Sequence, residues 1–168
     1  MDFTVEPFFL EAARAITLFR LAEVTQMCSG CPNFGCRWGC PPFGEDPLEL
    51  YRPYDGLTLY VLRVPRETDL GALRLDVERR LRRLEQQTGG RFCALPGDCP
   101  HCGSRPCTRP EGKPCRNPGA VRPSLEALGA DVGALMRLAG APELRWQGRE
   151  MTVVAALWHP AQNRPARL

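Results

Sequence analysis

The sequence predicts an α+β fold, a small sheet covered by helices, with two long cysteine-rich loops at its edge or end. Three observations predict it. Leu57–Val64 and Met151–Trp158 are apolar runs of strand composition. Leu70 to Leu84 carries one apolar stripe at helical spacing. Two Pro/Gly/Cys stretches, residues 28–53 and 96–123, have no periodicity at all. The 168 residues suffice for one hydrophobic core. The elements flanking the two cysteine stretches do not repeat, so the reading is one domain, residues 1–168, and not a tandem duplication.

Taken in order, Ala15–Val24 is apolar enough for a strand or a short helix, and Ile16, Thr17 and Phe19 favour a strand in its first half. The first cysteine loop follows. Leu57–Val64 is a strand ending at Pro65. Thr68 or Asp69 caps the next helix, whose Leu70, Leu73, Val77, Leu81 and Leu84 face the core. Arg79, Arg80, Arg82, Arg83 and Glu85 face elsewhere, and Gly89-Gly90 ends the helix. Arg91–Leu95 is a short strand leading into the second cysteine loop. Ser124 starts a short helix that Gly129 interrupts, and Asp131 caps the next, which runs to about Ala139. Met151–Trp158 is the last strand, paired with Glu143–Trp146 across Gln147-Gly148 as a hairpin.

The net charge of +3 is small, and Lys113 is the only lysine, so a nucleic-acid partner is not expected. The start of the chain has Asp2 and Glu6 and no basic segment before an apolar run, unlike a secretory signal. No stretch approaches the roughly 20 apolar residues of a membrane span. A cytoplasmic setting, with no membrane association, is the expectation. Thiols stay reduced there, so nine clustered cysteines read as metal ligands rather than as disulfides.

The first set is C28-S-G-C31-P-N-F-G-C36-R-W-G-C40-P-P, and the second is C99-P-H-C102-G-S-R-P-C107-T-R-P-E-G-K-P-C115-R-N-P. Both open C-x2-C-x4-C. A two-residue gap lets two thiolates on one tight turn reach the same metal, and the other two ligands close the site. Four thiolates suit either zinc or an iron–sulfur cluster. Zinc sites usually set two knuckles a dozen or more residues apart, whereas each set here is compact. The ending C36-x3-C40-P also matches the close of the bacterial ferredoxin run. The expectation is two 4Fe–4S clusters, with zinc as the alternative. Cys28, Cys31, Cys36 and Cys40 hold one and Cys99, Cys102, Cys107 and Cys115 the other, unless Cys40 or Cys115 is exchanged between them. Gly30, Gly35, Gly39 and Gly103 either bring backbone N–H groups to the sulfides or only form turns.

The stretch from Cys28 to Pro42, together with P-C-R-N-P-x-x-x-R-P-S-L-E-A-L-G-A-D-V from Pro114 to Val132, resembles a cysteine-rich prokaryotic domain-of-unknown-function family described as predicted metal-binding proteins. The resemblance implies iron–sulfur or other metal binding and no particular reaction. The family's first loop has three cysteines, matching Cys28, Cys31 and Cys40, and Cys36 falls where cysteine is not required. Either Cys36 is a fourth ligand here, or the first site keeps an open iron.

Cys93 reads as a small buried residue, or else as a ligand replacing Cys36. His101 reads as a spacer inside its knuckle, and His159 as an exposed surface residue. Phe34 and Trp38 flank the first set. Arg105, Arg109, Lys113 and Arg116 surround the second, to offset cluster charge or attract an acidic partner. Ser124 reads as a helix cap. No Ser-His-Asp set and no phosphate-binding glycine loop is present. The leading expectation is therefore single-electron transfer to a redox partner protein. An enzyme using an open-site cluster as a Lewis acid, or a zinc-stabilised interaction module, are the alternatives.

Overall fold

A computed structural model of the chain describes residues 3–164 and 168. Its centre is an antiparallel sheet of four strands: β1 (Thr4–Glu11), β2 (Gly56–Pro65), β3 (Arg91–Cys93) and β4 (Glu150–His159), in the order β1-β2-β4-β3. The long pair β2 and β4 runs in register from Gly56 opposite His159 to Pro65 opposite Glu150. Alternation of side chains sends Leu57, Leu59, Val61, Val154, Ala156 and Trp158 to one face and Tyr60, Leu62, Val64, Val153, Ala155 and Leu157 to the other. Both faces are covered, so the middle of each strand, Leu59–Leu62 and Val153–Trp158, is an unbroken run of apolar and aromatic residues.

The second face is covered by α3 (Leu70–Thr88), through Leu73, Val77 and Leu81. Each such side chain, fully buried, contributes about 1.5–3 kcal/mol. Asp69 caps the helix by accepting from the Gly71 and Ala72 N–H groups, and Gly89 ends it in the left-handed conformation, φ +68°. The first face is covered by α1 (Ala12–Ile16), by α4 (Val132–Ala139) and by Tyr51, Leu125 and Leu128. Asp131 caps α4 by accepting from Ala134 N–H. The α+β reading holds, as do the strands at 57–64 and 151–158 and the helix from Leu70.

Three local expectations fail. Residues 15–24 form the end of α1 and the start of α2 (Leu21–Cys28), not a strand. The free edge of β2 is taken by β1, and Phe19 keeps a single bridge, to Ala130. Glu143–Trp146 is not a strand, because both edges of β4 are occupied by β2 and β3. What remains of that hairpin is Thr152 N–H donating to Arg145 O at 2.8 Å. Finally, residues 124–128 form successive turns instead of a helix. Gly129 (φ +93°) abuts α2 there, and a Cβ on it would lie 2.6 Å from Leu21 Cα.

Candidate metal centre

All nine cysteines are free thiols, and eight lie in two neighbouring loop systems. Cys28 is the last residue of α2, and the chain leaves it in tight turns, Cys31 N–H donating to Cys28 O at 2.9 Å. Gly35 is left-handed (φ +67°), as is Gly103 (φ +59°) in the second loop, and a Cβ on either would meet open space. Their conformation answers to the turn.

Cys28, Cys31 and Cys40 line one cavity of about 130 Å³, with Phe34, Arg74, Ser124 and Glu126. Cys99 of the second set is on its wall too, and Cys36 is not. Burial pushes the Cys40 thiol up to about 11, against the pull of the Arg74 guanidinium, with Cys31 and Cys28 adding to the rise. Burial also raises Cys28, reinforced by Cys31 and then Glu126. Glu126 is half-buried as a residue, but its Oε2 is sealed from solvent and has no hydrogen-bond partner among the described residues. Burial raises its carboxyl above the ordinary range.

Cys99, Cys102, Cys107 and Cys115 all line a second cavity, of about 230 Å³. Cys99 therefore stands on the walls of both. Asn117 joins two of the four sulfurs: its backbone N–H donates to Cys115 Sγ at 3.3 Å, and its Nδ2 lies 3.7 Å from Cys102 Sγ. A bond from Nδ2 to His101 O at 2.9 Å fixes that amide. Beneath lies a buried chain of polar side chains. His101 Nε2 is 2.8 Å from Glu78 Oε2, Arg74 Nε donates to Glu78 Oε1 at 2.7 Å, and Arg74 Nη1 donates to Gly97 O at 2.8 Å. Neither His101 Nε2 nor Glu78 Oε2 has another partner among the described residues. His101 thus anchors its loop to α3.

The positive residues of the second loop make hydrogen bonds of their own. Arg109 donates to the carbonyls of Arg37, Cys40 and Pro42, and lies over the Trp38 ring. Arg116 donates to Pro106 O at 2.7 Å, and Lys113 pairs with Glu111. Arg109 thus fastens loop to loop, Arg116 and Lys113 bond within their own loop, and Arg105 is exposed. Trp38 lines the second cavity, not the first, and donates Nε1–H to Thr108 Oγ1 at 3.3 Å, whereas Phe34 lines the first as expected. An open groove of about 730 Å³ adjoins Cys115 from outside, walled by Trp38, Phe43, Tyr51 and Arg91.

Cys93 is fully buried in the core group with Tyr51 and Trp158, away from both cavities, and burial pushes its thiol up to about 12. His159 corrects the expectation of an exposed residue: it is fully buried, 3.0 Å from Thr58 Oγ1. Room for it comes from Gly56 opposite, where a Cβ would lie 2.7 Å from His159 Cε1. Sequence reasoning missed Asn117, Arg74, Glu78 and Glu126 at the site. Asn117 and Glu126 lie inside the motif from Pro114 to Val132, whereas Arg74 and Glu78 carried no signal of their own.

Among the described residues, no three Cys, His, Asp or Glu side chains converge on a point suited to one metal ion. The thiols instead surround volumes. Ligands of one zinc ion all lie about 2.3 Å from its centre, whereas a cluster has separate irons that its thiolates must surround. Each cavity is lined by four thiols, Cys99 being common to both, and such soft donors suit a thiophilic metal or cluster.

The chain matches the family described as predicted metal-binding protein (DUF2284) over residues 14–157, and it belongs to that family. Neither the curated proteins nor the solved structures contain a match to it.

Proposed function

We propose that this member of a predicted metal-binding family holds one iron–sulfur cluster in each cysteine cavity and exchanges single electrons with a partner redox protein. The observation that carries the reading is the second cavity, where four thiols from residues 99–115 surround one volume. Such clusters supply one-electron oxidation and reduction when bound. The chain's own residues would set the conditions. Asn117 supplies N–H groups to the sulfurs of Cys102 and Cys115, and Arg74 lies at the first cavity while pulling down the thiols of Cys40 and Cys99. A guanidinium so placed offsets negative charge at both centres. Cys99, common to both walls, puts the two centres side by side, which suits passage of electrons from one to the other.

A second reading is favoured by Cys36, which lines neither cavity. With Cys28, Cys31 and Cys40 alone, the first centre keeps an open coordination position and can act on a substrate as a Lewis acid. Anaerobic purification followed by iron, sulfide and zinc analysis tests the main proposal. Two iron–sulfur clusters per chain are expected. A colourless protein with two zinc ions and no sulfide overturns it. Cys36→Ser then separates the readings: unchanged iron content favours the open site, and loss of one cluster favours a local set of four thiolates.

A further inference from the structure

We propose that Glu126 is the fourth ligand of the first metal centre, its Oε2 completing the set of Cys28, Cys31 and Cys40. The inference rests on the metal-binding reading of the cysteine cavities and deepens it. Four thiols, those of Cys28, Cys31, Cys40 and Cys99, and this carboxylate line the same cavity, while Cys36 is absent from its walls. Glu126 Oε2 is closed off from water and lacks any hydrogen-bond partner among the described residues. A buried polar atom left in that state costs about 1–3 kcal/mol, and more if charged. An iron at that corner of the cavity would remove that cost, because it would accept a lone pair from the oxygen.

The backbone holds the carboxylate there. Leu128 N–H donates to Ser124 O at 3.1 Å, and Ala127 N–H to Ser124 Oγ at 3.2 Å, closing the turn around Glu126. Leu125 and Leu128 on either side are fully buried in the core. The turn therefore cannot swing away without exposing both leucines. Cys99 is the competing ligand on that wall, but it also lines the second cavity with Cys102, Cys107 and Cys115. One thiolate each for four positions leaves the first centre to Glu126. An oxygen ligand is harder than a thiolate, so this corner of the first centre would be the exchangeable one.

The test uses the full chain purified anaerobically, with wild type analysed first for iron and sulfide. Failure to find clusters there defeats the metal reading itself and is seen before any variant is made. With two clusters present, the reduced protein is compared by electron paramagnetic resonance as wild type, Glu126→Ala, Glu126→Cys and the isosteric Glu126→Gln. The expected result is a shift or loss of one of the two cluster signals in Glu126→Ala, restored towards wild type by added acetate. Glu126→Cys should keep full iron with an altered signal and a changed reduction potential, since thiolate replaces carboxylate. Spectra of Glu126→Cys and Glu126→Gln that are both identical to wild type overturn the proposal. So does a Glu126→Ala signal that matches wild type and ignores acetate.

Discussion

Arg37 of the first cysteine loop grips Asp98 of the second in a two-point contact, Nη2 donating to Oδ2 at 3.2 Å and Nε to Oδ1. The pair lowers the Asp98 carboxyl from its ordinary value, through the hydrogen bond first and in spite of some burial. It stands beside Cys99, whose N–H donates to Asp98 Oδ1 at 2.9 Å. The two loops are thus one structure, with Arg37 and Asp98 at the seam.

Arg109 makes the deeper part of that seam, so Arg37 and Arg109 should differ in their effect. Asp98 is largely exposed, and pairs of that kind contribute about 0–1 kcal/mol. Arg37→Ala should therefore leave global stability within about 1 kcal/mol of wild type. Arg109→Ala removes the donor from three carbonyls and should cost about 1–3 kcal/mol. Urea unfolding measures both, and equal losses would contradict the ranking.

The buried pair of Arg74 and Glu78 gives a larger effect. Removing one partner leaves a charge with nothing to balance it, a loss of about 3–5 kcal/mol. Glu78→Ala should fall in that range and also free His101, raising hydrogen exchange across residues 98–103. Arg74→Met combined with Glu78→Met removes both charges and should be less destabilising than Glu78→Ala alone. A double variant worse than the single would show that the pair is net stabilising.

Thiol reactivity in metal-free protein should follow burial. Cys31 is exposed and should be alkylated first by iodoacetamide. Cys40, raised to about 11, has a thiolate fraction of about 10⁻⁴ at pH 7 and should react far more slowly. Cys93, raised to about 12 and fully buried, should react only on unfolding. Peptide mass mapping over time reads the order. Loading metal should protect Cys31 and the second set without changing Cys93.

Asn117→Ala should lower the reduction potential of the second centre. N–H groups directed at sulfur favour the more negative, reduced state, and their loss disfavours reduction. The backbone N–H to Cys115 survives the substitution, so the change isolates the side chain facing Cys102. Redox titration followed by visible absorbance checks the sign, and an unchanged or raised potential would count against it.

His159 gives stability a pH dependence. Burial lowers its pKa from 6.5, partly offset by its contact with Pro160 O. The unfolded chain then binds the proton more readily than the folded one between the two pKa values. Stability from this residue is complete above about 6.5 and declines as pH falls through that window. His159→Gln should remove this part of the slope between pH 7 and pH 5, as read from thermal unfolding.

Local pattern alone carried the parts of this fold whose residues face one environment along their length. The stripe from Leu70 to Leu84, the Asp69 and Asp131 caps, Gly89 and the two central strands were legible because each follows from spacing or backbone preference in a short window. The cysteine-rich loops were legible for the same reason, and the family match agrees with the metal-binding character read from them, but Cys36 lines neither cavity and Cys99 lines both.

Pairing decided the rest. β1 pairs with β2, whereas the first half of residues 15–24, for which a strand was favoured, joins no strand of the sheet. Arg74, Glu78, Arg82 and Glu85 form a second stripe on α3, reaching Gly97, His101, Ala120 and Arg122. Their spacing reads as an ordinary charged helix face until the second loop is laid along it. Glu126 shares that limit. In sequence it is one more helix-forming glutamate, and its meaning arises when α2 and the 124–128 turn bring Cys28 and Glu126 to one cavity. Sequence determined which atoms can bind metal, because thiol chemistry belongs to the residue. Tertiary structure decided which of them face the same volume, because that depends on contacts between segments far apart in the chain.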